Sequence, residues 1–410
     1  IMERQKFLKR IFIILGITLV LIIIIFFYKE YKIHTAKRYV ELNTTTIEVY
    51  SDIKLSDIIK KINGKLVKDE KVDTTKLGEK EIKFKYVNDD NITLTHNISI
   101  NIVDTTPPVI DKILNYRIIK GDKTDISKSL FCGDNYDSNP KCYIEGDYDV
   151  NTPGTYKVTY KGVDSSKNES SYNMNIIVKE PSTSNNKSTN NSSTSSVSGT
   201  KFTDIVKNYK NKNTEIGIDV SHWQGNINFK EVKKAGVEFV YIRVGRGNGI
   251  GKEKEYVLDD KFKQNIEGFN KVGIPVGIYF YSHANSRKDA INEAKWIMNK
   301  IRNYNVSLEI VFDWENWDSF QEYNLSFYKL TDAANAFVKE VEKNGYKGMV
   351  YSSKNYLENI WLKLDSRIWL AHYTNETNYQ GKYRVWQICN DGIVDGISDN
   401  QVDINIRYKK

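Results

Sequence analysis

Glu309-Ile310-Val311-Phe312-Asp313-Trp314-Glu315 decides the fold of the C-terminal half of this chain. An apolar, β-branched run closing on two acids reads as a buried strand, and it stands between two helical patterns, Arg287 to Arg302 and Leu325 to Asn344. Outward from it, the alternation continues. Candidate strands are Ile216 to Ser221, Phe239 to Val244, Pro275 to Ser282, Gly348 to Ser353, Ile368 to Tyr373, Arg384 to Cys389 and Val402 to Ile406, which with the first makes eight. Helical patterns fill the first five intervals, adding Phe229 to Ala235, Asp260 to Val272 and Lys354 to Trp361, and the last two intervals are too short for helices. Strand-helix repetition implies parallel pairing with right-handed crossovers, so the pattern predicts an α/β barrel closed near its end by plain loops. In such barrels the chemistry sits where strands end.

The strand ends carry acids: Asp219 on the first, Asp313 and Glu315 on the fourth, Asp403 on the eighth. Residues two apart on a strand share a face, so Asp313 and Glu315 oppose each other's ionisation and one of them keeps a proton. Glycoside hydrolysis needs that asymmetry: one carboxylic acid protonates the leaving oxygen, and another carboxylate stabilises charge at the sugar carbon or handles the nucleophile. Alternating acids on a strand are often a solvated face. Here Ile310, Val311 and Phe312 before the pair, and Trp314 within it, argue against a solvated edge.

Gly217-Ile218-Asp219-Val220-Ser221-His222-Trp223-Gln224-Gly225 resembles the opening signature of glycoside hydrolase family 25, the lysozyme-type muramidases. Gly277-Ile278-Tyr279-Phe280-Tyr281, Phe312-Asp313-Trp314-Glu315, Ile368-Trp369-Leu370-Ala371-His372-Tyr373, Val385-Trp386-Gln387 and Val402-Asp403-Ile404-Asn405 continue the resemblance in family order. It implies a modified TIM-like barrel of five β/α units followed by three strands. It also implies cleavage of the β-1,4 bond from N-acetylmuramic acid to N-acetylglucosamine without metal or organic cofactor, with peptidoglycan glycan strands as the partner. By position Glu315 matches the general acid/base, Asp313 the residue that orients or stabilises the substrate N-acetyl group, and Asp219 and Asp403 the supporting carboxylates. Tyr281 and Tyr373 are the preferred sugar-binding residues, with Trp314, Tyr351, Trp369 and Gln387 as further candidates; Trp386 also lies near a strand end, and for any one of these aromatics core packing is an equal alternative. Many members have His where Phe280 stands, and its strand neighbours Tyr279 and Tyr281 predict that Phe280 points away from their shared face. His222, His283 and His372 with Asp219 do not form a recognised metal-ligand set.

The rest of the chain reads as carriage for this domain. Asp73 to Val87 and Asp149 to Val163 repeat at an offset of 76 residues, each a glycine turn followed by alternating apolar positions. With Val103-Asp104-Thr105-Thr106-Pro107-Pro108 between them, they resemble tandem bacterial immunoglobulin-like modules, expected at 39–106 and 107–180 and read as a spacer, with wall binding as the alternative. Residues 181–212 are expected as a linker, its first 20 residues almost entirely Ser, Thr and Asn, followed by the catalytic domain at 213–410. Cys132 and Cys142 flank a turn-rich stretch and are candidates for a disulfide, with two free thiols as the alternative; Cys389 reads as a buried core residue.

Residues 1–38 carry eight Lys and Arg against two acids, while 39–212 and 213–410 are each close to neutral, so the net charge of +8 is no nucleic-acid footprint. That basic excess flanks Ile11 to Tyr28, an uncharged 18-residue run long enough to span a bilayer. The basic residues before it place the N-terminus in the cytoplasm and the remainder outside, facing the wall. A cleaved signal peptide is the rival reading, but Phe26-Phe27-Tyr28-Lys29-Glu30 supplies no small-residue cleavage site. The competing functions are a glycan-binding surface protein without turnover and a metal-dependent polysaccharide deacetylase.

Overall fold

The strand pattern of the C-terminal half closes on itself. The computed structural model describes residues 2–181, 199–250, 255–398 and 401–409, and the chain divides into two units, Ile1–Thr105 and Thr106–Lys410. In the second unit, β1 (Thr214–Val220), β2 (Val240–Asn248), β3 (Val276–Tyr281), β4 (Glu309–Asp313), β5 (Lys347–Ser353), β6 (Arg367–Ala371), β7 (Val385–Ile393) and β8 (Val402–Tyr408) form one ring. Neighbours from β1 to β7 pair in parallel, and β8 runs antiparallel to both β1 and β7, which closes the barrel. Helices follow each of the first five strands, at Phe229–Lys234, Phe262–Lys271, Arg287–Ile301, Phe327–Lys343 and Lys354–Asn359.

The period of two divides the strand side chains into two cores. Ile310 and Phe312 of β4 point outward into the layer shared with the helices, whereas Val311 points inward with Tyr241, Met349, Tyr351 and Trp369. On the same inward face Glu309 plugs the far end of the barrel, accepting from Tyr241 Oη at 2.6 Å and lying 3.8 Å from Arg407 and 3.9 Å from Arg384. Asp313 therefore stands at the near end, two steps along that face. Ser286 and Ser326 cap the helices on either side of β4 through their hydroxyls. Gly273 and Gly345, at φ of 69° and 85°, turn the chain from helix to the next strand.

Two expectations need correction here. β4 ends at Asp313, two residues short of the predicted end, because the Trp314 indole turns fully out of solvent into the helical layer. The linker also ends earlier than residue 212. Thr200–Lys201 pairs in parallel with β7, and the helix Phe202–Tyr209 sets Phe202 and Ile205 into the barrel core. Phe202, Ile205, Val206 and Tyr209 recur at the spacing of one helix face, which overrides the polar residues between them. The Ser/Thr/Asn core of the expected tether, 182–198, lies outside the described residues.

The 76-residue repeat is present in the backbone. Gly78–Asn88 pairs with Thr93–Val103, and Gly154–Val163 with Glu169–Lys179, each hairpin flanked by a short parallel strand (Thr46–Glu48; Asn115–Ile119) in a four-stranded sheet. In the first unit Phe84, Tyr86, Ile98, Ile100 and Ile102 supply the buried alternation. In the second unit the pair Val109–Ile110 and Cys132–Gly133 packs Ile110 and Cys132 against Tyr160 and Ile176. A disulfide joins Cys132 to Cys142, and Cys389 is a buried free thiol. The 107–180 module does not stand apart from the barrel: Phe131 is 8% exposed and belongs to the barrel's hydrophobic core. The first unit also holds the helix Met2–Thr35, which is long and apolar enough to cross a membrane and buries none of its residues.

Candidate active site

The near end of the barrel opens into a cleft of about 330 Å³ lined by Asp219, Asp313, Glu315 and Asp403, with Tyr279, Tyr281, Tyr351, Trp369, Tyr373 and Gln387. Ring closure explains the convergence. Asp219 and Asp403 are register partners across β1 and β8, and Asp313 is level with Tyr281 on β3 and Tyr351 on β5.

The four acids form two hydrogen-bonded pairs. Asp313 is 4% exposed, and burial followed by the charge and hydrogen bond of Glu315 raises its pKa well above the carboxylate range. Glu315 is also raised, first by burial and then by the charge of Asp403, against a hydrogen bond from Asp313 that lowers it. Glu315 nevertheless keeps an exposed side chain, because a group lining a concave wall can touch water while losing most of its hydration. Both carboxyls line the cleft, Glu315 as the exposed member of the pair and Asp313 as the recessed one. Asp313 Oδ1 is buried without a hydrogen-bond partner.

Asp219 is buried, and its Oδ2 accepts from Asn405 Nδ2 at 2.7 Å and Gln387 Nε2 at 3.0 Å. Gln387 Oε1 in turn accepts from the hydroxyls of Tyr351 and Tyr373, both at 2.9 Å, and Trp369 Nε1 donates to Asn405 Oδ1 at 2.8 Å. Burial and then the Asp403 charge raise Asp219, while burial raises Asp403 to about 6 against a hydrogen bond from Asp219. A carboxylate whose native pKa is raised binds more protons folded than unfolded between its ordinary value and the raised one, so stability is full at low pH and falls as pH rises through about 6. Asp403→Asn is expected to remove about 2 kcal/mol of this loss. The measurement is the difference between urea-unfolding free energies at pH 4.5 and 7.5, and an equal pH slope in parent and variant would contradict the assignment.

Two of the candidate aromatics are absent from the cleft: Trp386, which packs in the barrel's hydrophobic core and donates to His372 O at 2.8 Å, and Trp314. The Trp314 indole is fully buried, donates to Ala284 O at 3.1 Å and packs on Trp317 and Tyr323. Phe280 points away from Tyr279 and Tyr281 as expected, into Tyr256 and Trp296. The sequence reading missed Trp223, Arg243, Tyr279 and Asn390, all of which line the cleft. Arg243 Nε donates to Asp259 at 2.8 Å, and its positive charge opposes the rise in the Asp313 pKa. A lone Arg within the apolar run Phe239 to Val244 was the available signal for it. Trp223 is 62% exposed at the rim. Among the described residues the three histidines form no ligand group with Asp219: His222 contacts Asp259 and Arg243, His283 meets Tyr323 Oη at 2.9 Å, and His372 meets Thr377 Oγ1 at 2.8 Å.

Residues 218–397 match the model of glycosyl hydrolases family 25. Similar proteins include an autolytic lysozyme of Clostridium acetobutylicum, 28% identical over 186 residues, which are 44% of this chain and 52% of that protein. Lysozyme M1 of Streptomyces globisporus is 29% identical over 207 residues, which are 46% of this chain and 66% of that one. The chain thus spans about half to two thirds of these curated relatives. Among solved structures, the modular autolysin LytC of Streptococcus pneumoniae in complex with a synthetic peptidoglycan ligand matches at 26% identity over 48% of each chain, with a TM-score of 0.40. The family match and the two lysozymes support a glycoside hydrolase.

Proposed function

We propose that the chain is a membrane-anchored muramidase that hydrolyses the β-1,4 bond between N-acetylmuramic acid and N-acetylglucosamine in peptidoglycan. The observation that carries the reading is the Asp313–Glu315 pair on the cleft wall, one carboxyl buried and one exposed. Glu315, whose pKa burial raises, delivers a proton to the glycosidic oxygen, since it is the exposed member of the pair. Asp313 lies beside it with an acceptor oxygen free of protein donors, suited to the N–H of a substrate N-acetyl group. The Asp219–Asp403 pair, braced by Asn405 and Gln387, keeps the opposite wall acidic and supports positive charge developing at the sugar carbon. Trp223, Tyr281 and Tyr373 offer ring faces for pyranose stacking, with Tyr373 52% exposed.

The test is digestion of purified peptidoglycan by the full chain, followed by reduction and identification of the new ends. N-acetylmuramic ends are expected. N-acetylglucosamine ends would refute the bond assignment, and tight binding with no soluble product would mean a glycan-binding protein without turnover. Activity that survives strong chelation excludes the deacetylase. The helix Met2–Thr35 serves in this reading as an uncleaved anchor, with the immunoglobulin-like modules and the catalytic domain outside. Cell fractionation checks the anchor: the full chain is expected to stay with membranes through a high-salt wash, and its release would refute anchoring.

A further inference from the structure

A module acting only as a spacer has no need of a shaped contact with the domain it carries, yet the 107–180 module makes one. Phe131 is held from both sides: its N–H donates to Asp111 Oδ2 at 2.7 Å, its carbonyl accepts from Asp111 N at 3.0 Å, and the next residue is tied to Cys142. Its ring lies 5.4 Å from Phe320, 6.3 Å from Phe327 in a stacked arrangement and 6.4 Å from Trp317, all barrel residues. Beside it Gly133 leaves no room for a side chain, since a Cβ there would sit 2.6 Å from the Phe327 ring and 2.8 Å from the Phe320 ring.

Polar groups match as well. The first N–H groups of an α-helix have no partner within the helix. Two of them in Phe327–Lys343, Phe327 N and Tyr328 N, donate to the carbonyls of Asp134 and Asn135 at 2.8 and 3.3 Å. A β-module turn therefore completes the cap of a barrel helix. From the contact, aromatic packing runs straight to the acid: Trp317 lies 4.8 Å from Trp314, the residue before Glu315.

We propose that residues 107–180 are a fixed part of the catalytic unit, and that Phe131 is a positioning residue that holds the Trp317–Tyr323 segment and, through Trp317 and Trp314, sets how Glu315 faces the cleft. The proposal rests on the catalytic reading given above. Its effect falls on turnover and on the protonation of Glu315, because the rings Phe131 packs on, Trp317, Phe320, Phe327 and Tyr356, lie behind the cleft lining and leave substrate contacts in place.

The experiment compares the full chain in detergent with Phe131→Ala, Phe131→Leu and Gly133→Ala, scoring kcat and KM on peptidoglycan, the pH profile of kcat, and hydrogen exchange of the 317–323 amides. Phe131→Ala is expected to lower kcat about tenfold with KM within twofold, to displace the pH limb that reports Glu315, and to speed exchange in 317–323 about tenfold. Phe131→Leu, which keeps most of the apolar volume, is expected to recover at least half of the lost rate, and Gly133→Ala to resemble Phe131→Ala. A folded Phe131→Ala with rate, profile and exchange all within twofold of the parent overturns the proposal. If that variant does not fold, unaltered exchange and rate in Gly133→Ala overturn it instead. Should the parent release no reducing ends, the catalytic reading falls by itself, and faster or unchanged exchange in the variants still decides whether Phe131 holds the segment.

Discussion

Glu315→Gln is expected to reduce the release of reducing ends from peptidoglycan about 10³-fold while leaving the fold intact, the scale set by general acid catalysis. The substitution keeps the shape and hydrogen-bonding reach of the side chain and removes its transferable proton. Glu315 faces an open cleft, so no buried charge is stranded by the change, and the unfolding midpoint should stay close to that of the parent. Asp313 cannot take over: it is 4% exposed and recessed behind Glu315. The check is initial rates by reducing-end assay, with binding to insoluble peptidoglycan measured alongside. A variant that binds as the parent does and turns over as fast would show that the proton comes from elsewhere.

Trp314→Ala should act through stability, with an expected cost of about 3–5 kcal/mol, the range for removing a large aromatic from a packed core. The indole is fully buried between Trp317, Phe320 and Tyr323, and its N–H satisfies the Ala284 carbonyl, which the variant leaves without that donor. Tyr373→Ala provides the contrast, because a half-exposed ring at the cleft should raise KM and barely move the midpoint. Denaturant unfolding of both variants separates the roles. A loss under 1 kcal/mol for Trp314→Ala would place the indole outside the core.

These two residues also show what a linear reading can and cannot reach. The eight strands were legible because each is a short apolar run bounded by helix-forming or turn-forming sequence, and their observed ends lie within a few residues of those expected. The acids were legible because strand order converts sequence positions into places on a ring. Trp314 was misplaced for a physical reason: alternation states which residues share a face, but at a strand end the backbone turns, and the face beyond Asp313 is set by what the helices leave to fill. Tyr279 was overlooked although its face was already assigned with Tyr281, and Arg243 although it is the lone charge in the run Phe239 to Val244. The contact made by Phe131 had no local signature at all, since an aromatic beside a half-cystine looks like the interior of its own module until the partner surface is known.

The antiparallel docking of β8 brings Asp403 opposite Asp219 and also joins the first strand of the ring to the seventh. Every acid but one is therefore in the chain before the ring exists, and the missing one arrives on the strand that seals it. A polypeptide still being made has no assembled cleft until residues 402–408 fold back against β1. Closure of the ring and assembly of the four-acid cleft are then one event.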